Sequence, residues 1–150
     1  MQPDIEARKP WHPRDLAARL KGAGLTWFVA GGWAIDIFLG ERTRDHEDLK
    51  IALPWLDPAA VPGGFRGVGG REIPYLKPEI CLLFKSKAVR DKDQADFEAT
   101  LPRMSPVQRI WLHTALERVH PGHDWISATE CAAADPGQPA DPCTCPPGCR

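Results

Sequence analysis

Two adjacent glycines constrain this chain more than any other feature. Gly31 and Gly32 follow Thr26-Trp27-Phe28-Val29-Ala30, a short β-branched and aromatic run. They precede Trp33 to Leu39, which reads as a helix closed by Gly40. The order is a buried strand, a tight turn and a helix. Paired glycines let the backbone approach a ligand closely, and the first N–H groups of the following helix favour an anion above the turn. A phosphate cradle and a plain tight turn both satisfy this pattern.

The flanks extend it. Pro13 to Lys21 reads as a helix, with proline in its first turn, Gly22 as its stop, and Leu16 and Leu20 on one face. Glu41 to Glu47 is a charged connection. Asp48 to Leu53 alternates polar and apolar residues, a strand pattern. Residues 54–76 hold four prolines and five glycines, which predicts a loop with only Arg71 to Leu76 extended.

Helices then follow. Ile80, Leu83, Phe84 and Ala88 make an apolar stripe after Pro78. Asp91 and Gln94 suggest a capping box, with a helix from Lys92 that ends before Pro102. Ser105-Pro106 opens another, whose apolar face is Val107, Ile110, Trp111, Ala115 and Val119, and which stops at Pro121-Gly122. From about Ser127 the pattern is that of a poorly ordered tail. The expected class is α/β (α+β): a small mixed sheet with helices over 1–76, a helical portion over 77–126, and a Cys/Pro-rich tail over 127–150.

Composition narrows the function. In 150 residues, 19 Lys and Arg stand against 20 Asp and Glu, a net charge of -1, which argues against bulk binding to nucleic acid. No apolar run has the roughly 20 residues that span a bilayer. Met1 to Glu6 lacks the basic and apolar regions of a secretory signal, so the cytoplasm is the expected compartment and a disulfide framework is not expected. Of five cysteines, Cys131, Cys143, Cys145 and Cys149 lie after residue 130, and Cys81 lies in the body. The tail spacing is not a standard zinc pattern.

The string Trp27 to Asp36, then Leu39-Gly40, then Thr43-Arg44-Asp45-His46-Glu47-Asp48-Leu49-Lys50-Ile51 resembles the nucleotidyltransferase superfamily that includes DNA polymerase β. It is most similar to the aminoglycoside 2''-adenylyltransferase-like branch. Tyr75 to Ile80, Leu82 to Lys87, Lys92 to Phe97 and His120 to Trp125 resemble that branch's C-terminal helices. The resemblance implies transfer of AMP from ATP to a hydroxyl of a small acceptor such as an aminoglycoside. Mg2+ would be the cofactor, with neither nucleic acid nor membrane as partner. It places Asp48 as a metal-binding, catalytic carboxylate, and Gly31, Gly32, Arg44, His46 and Lys85 at the nucleotide.

The sequence departs from the branch at two points. Lys50 stands where a second strand carboxylate belongs, and an ammonium cannot ligate Mg2+. Glu47 is no substitute if it leaves the strand opposite Asp48. The stretch 54–76 offers only Asp57 and Glu72 as a third acid, so the expectation is a missing strand and a truncated core. The alternative function is therefore a catalytically inactive nucleotide-binding or interaction module. Taken by themselves, Asp36, Asp93 and Asp96 read as structural, Lys85 and Lys87 as solvated, Arg44 and His46 equally as a loop-stabilising pair, and His120 and His123 as capping and surface residues.

Overall fold

The computed structural model describes residues 11–53, 66–69 and 73–131. Helix α1 (Pro13–Leu20) begins at His12, whose Nδ1 accepts the Arg14 N–H at 3.2 Å, and its Leu16 and Leu20 pack on the core. Strand β1 (Phe28–Ala30) runs into the glycine turn and helix α2 (Gly32–Leu39). Gly31 has φ 69° and ψ −147°, a conformation that a side chain strains. Gly40 ends α2 in the left-handed region at φ 76°, as the sequence predicts.

Strand β2 (Lys50–Ala52) is shorter than the alternation predicts, and Asp48 lies before it in irregular chain. The main correction concerns residues 54–76, which the Pro and Gly content marks as loop. Within this stretch lie β3 (Arg66–Gly69) and β4 (Ile73–Leu76). β4 falls within the Arg71 to Leu76 stretch expected to be extended, with Ile73, Pro74 and Leu76 all buried, and β3 is the strand the sequence did not suggest. The sheet order is β2-β1-β4-β3. β1 is antiparallel to β2 (Phe28 opposite Ala52, Ala30 opposite Lys50) and parallel to β4 (Val29 opposite Tyr75). β3 and β4 are antiparallel, from Arg66 opposite Leu76 to Gly69 opposite Ile73.

Helices α3 (Pro78–Lys85), α4 (Asp91–Thr100), α5 (Pro106–Val119) and α6 (Asp124–Cys131) complete the described fold, with a 3-10 turn at Leu101–Arg103. α4 starts one residue before the position expected. The capping bond runs from the Arg90 N–H to Asp93 at 3.2 Å, not through Asp91 and Gln94. Ser105 and Gln108 cap α5 reciprocally, at 3.3 and 2.9 Å. Helix α6 reaches Cys131, past the Ser127 boundary at which the sequence suggested a tail. His123 tethers its start by accepting the Trp125 N–H at Nδ1 and meeting the Ser86 carbonyl through Nε2, each at 3.1 Å.

The core draws on every layer: Val29 from β1, Ala34 and Ile35 from α2, Leu82 from α3, and Leu112 and Leu116 from α5 are fully buried. Phe97 stacks on Trp125 with ring centroids 4.2 Å apart and planes 3° from parallel. One expected stripe is split and the other reversed. α3 buries Ile80, Cys81 and Leu82, while Phe84 is 74% exposed. α5 buries Leu112 and Leu116, while Val107, Ile110, Trp111 and Val119 face solvent. Periodicity located both helices; it misplaced Phe84 on α3, where Ile80 and Leu83 do face the core, and the face of α5, because each helix also carries apolar residues on its outer surface.

Candidate functional site

The turn from β1 to α2, the connection 41–49 and helices α3 and α4 enclose a cleft of about 730 Å3. Gly31, Gly32, Arg44, His46, Asp48 and Lys85, the six residues singled out from sequence, all line it. The cleft is predominantly basic, with Arg44, Lys50, Lys85, Lys87, Arg90 and Lys92 against Asp45, Glu47, Asp48 and Asp93.

The second glycine has a direct structural cause. A Cβ on Gly32 would sit 2.6 Å from an Arg44 guanidinium nitrogen and 2.6 Å from His46 Cε1. The side chains of Arg44 and His46 therefore lie against the turn itself. Arg44 also bonds His46 Nδ1 at 3.0 Å and Asp96 Oδ2 at 3.0 Å. His46 is buried and packs against Trp33, with ring centroids 4.7 Å apart. Its Nε2 meets Asp36 Oδ2 at 2.5 Å, and Asp36 Oδ1 accepts from Thr43 Oγ1 at 2.6 Å and Thr43 N at 3.3 Å. Asp36 thus anchors the connection 41–49 to α2.

Across the cleft, Lys85 is not a solvated lysine. Only 10% of its side chain is exposed, and its ammonium bridges Asp93 Oδ1 at 2.7 Å and Asp96 Oδ2 at 3.0 Å. Arg90 adds a second cation to Asp93 at 2.7 Å. Burial pushes the Asp93 carboxyl up, but bonds from Arg90 and Lys85 outweigh it and hold the group well below the usual carboxylate range. The chain from Asp36 through His46, Arg44, Asp96 and Lys85 to Asp93 braces α2, α3 and α4 beneath the cleft.

The floor is inert toward nucleophilic chemistry. Cys81 donates to the Leu76 carbonyl at 3.4 Å, and burial pushes its thiol up to about 12, far from the thiolate a reaction would need.

At the open side, Lys50 Nζ lies 2.7 Å from Asp48 Oδ2. That bond holds the Asp48 carboxyl below its ordinary value against the opposing effect of burial, and Lys92 adds to the lowering. Glu47 lines the cleft together with Asp48. The opposite-face expectation fails because neither residue lies in the strand. Asp57 and Glu72 lie outside the described residues. Among the described residues no group of three His, Cys, Asp or Glu side chains is placed to hold a metal ion. The described donor set therefore does not fit Mg2+: Asp48, the carboxylate that the resemblance assigns to the metal, is paired with Lys50.

Sequence reasoning overlooked Arg90 and the anchoring role of Asp36. The three-residue spacing of Arg90 and Asp93 was the available signal for the first. For the second it was Asp36 standing one helix end away from the polar run Thr43, Arg44 and His46.

Residues 14–63 match the model of the aminoglycoside-2''-adenylyltransferase family. The matched region spans α1, β1, α2 and β2, and so contains Gly31, Gly32, Arg44, His46 and Asp48. The match covers 50 of the 150 residues, a third of the chain. No curated protein and no solved structure matches the chain. Among the described residues no helix is long and apolar enough to cross a membrane.

Proposed function

We propose that this chain binds a nucleoside triphosphate, ATP by its resemblance, in the cleft above Gly31-Gly32, and that it acts there as a binding module of nucleotidyltransferase type. The observation that carries this is the Lys50–Asp48 ion pair at 2.7 Å. By the resemblance, two-metal transfer would need a pair of carboxylates where this pair lies. Arg44, Lys87 and Lys92 offer cations to a phosphate chain, and the wall behind them is braced by Lys85, Asp93 and Asp96.

The second reading is transfer of AMP to a small hydroxylated acceptor such as an aminoglycoside. The family match over 14–63 favours it. Two measurements separate the readings: ATP binding by calorimetry, and pyrophosphate release with ATP, Mg2+ and a panel of aminoglycosides. A binding module gives heat with ATP and no pyrophosphate. Turnover in the ordinary enzyme range of about 1–10³ per second, abolished by Asp48→Asn, would establish the transferase.

A further inference from the structure

We infer that the cleft takes its polyphosphate without a divalent cation, with Lys50 as the resident counter-charge and Asp48 as the latch that holds it in place. The inference rests on polyphosphate binding in this cleft and goes beyond it by naming the ionic form of the ligand.

The geometry begins with strand register. Ala30 pairs with Lys50 across β1 and β2, which sets the lysine beside the end of β1, where the glycine turn starts. Its aliphatic stem then crosses Gly31: a Cβ there would lie 3.4 Å from Lys50 Cδ and 3.8 Å from Lys50 Cβ. The ammonium is thereby carried to the cleft, where Asp48 holds it.

Both partners are open to solvent, with 61% of the Lys50 side chain and 66% of the Asp48 side chain exposed. An exposed pair of this kind is weak, so the ammonium can leave Asp48 for a more highly charged anion at little cost. Lys87 and Lys92 line the same cleft and form no ion pair among the described residues. Three cations are thus available to phosphate oxygens without dismantling the buried Lys85–Asp93–Asp96 bridge.

A divalent ion has the opposite prospects. Mg2+ is held by carboxylates and phosphate oxygens and keeps several waters. Here it would meet a single described carboxylate, Asp48, under the field of Lys50 and Lys92, whose positive charges repel it.

The test is calorimetry on the full chain with ATP, in EDTA and in excess Mg2+, for the wild type, Lys50→Met and Asp48→Asn. Circular dichroism confirms that each variant is folded, which the exposure of both side chains favours. The wild type should bind ATP in EDTA at least as tightly as in Mg2+. Lys50→Met should weaken binding in EDTA by about tenfold, the loss of one close charge contact. Asp48→Asn should tighten it, because the latch is released and a negative charge removed. Wild-type binding that needs Mg2+, or an unchanged affinity in Lys50→Met, would overturn the inference while leaving nucleotide binding intact. No ATP binding by the folded wild type in either buffer would overturn both.

Discussion

Asp36 and His46 fix each other's chemistry. The His46 ring is bonded on both sides, to Arg44 through Nδ1 and to Asp36 through Nε2. A guanidinium only donates, so Nδ1 must accept and Nε2 must carry the proton given to Asp36. The helix thereby sets the tautomer of a ring in the connection, and through that ring the position of Arg44 against the glycine turn.

Removing the carboxylate should be costly. Asp36→Ala leaves Thr43 and the buried His46 without their acceptor, and should destabilise the fold by about 3 kcal/mol in urea titration. Asp36→Asn should be little better, because its amide cannot accept from Nε2 and from Thr43 with one oxygen. A nearly neutral Asp36→Asn would show that the ring holds the other tautomer.

The glycine turn can be tested by one methyl group. Gly32→Ala forces the Arg44 and His46 side chains off their packed positions and should cost about 2 kcal/mol. Gly40→Ala meets no atom within 4 Å and bears only the strain of φ +76°. It should cost about 1 kcal/mol. Equal losses would contradict the contact between the turn and the Arg44–His46 pair.

Asp93 predicts an acid limb in stability. Its folded carboxyl titrates below the unfolded value of about 3.9, so the folded state gains most when the group is ionised. The contribution is present above about pH 4–5 and is lost as the pH falls through the lower, folded value. Asp93→Asn should lower stability at neutral pH by about 2 kcal/mol and flatten the melting temperature between about pH 5 and 2.

The faces of α5 separate by substitution. Leu116→Ala removes a fully buried side chain and should cost about 3 kcal/mol. Val107, 76% exposed, should tolerate alanine to within about 0.5 kcal/mol. Denaturant midpoints compare the two directly. The reverse order would restore the stripe that periodicity alone suggests.

Local chemistry made much of the fold legible. Glycine stops, proline at first helical positions and the Ser105 cap act within a few residues, and each falls where the sequence puts it. The sheet was less so. β3 contains Gly67 and Gly69 and shows no strand composition, whereas β4 lies in the stretch Arg71 to Leu76 that reads as extended despite Pro74. At the site, the residue types were readable but their partners were not. Lys85 reads as solvated until α4 brings Asp93 and Asp96 to it. Asp36 reads as packing until the connection folds back and presents Thr43 and His46. Such contacts belong to tertiary structure, and single-sequence spacing does not encode them.

The parallel pairing of β1 with β4 also orders events in time. β2 lies close enough in the chain to close onto β1 as a local hairpin-like pair, and β3 closes onto β4 in the same way. The sheet becomes one object only when Val29 meets Tyr75, across all of the intervening chain. Loop-closure entropy falls due at that single step, before the non-local contacts repay it. On the ribosome, the inner edge of β1 must wait, unpaired, until residues 73–76 have been made.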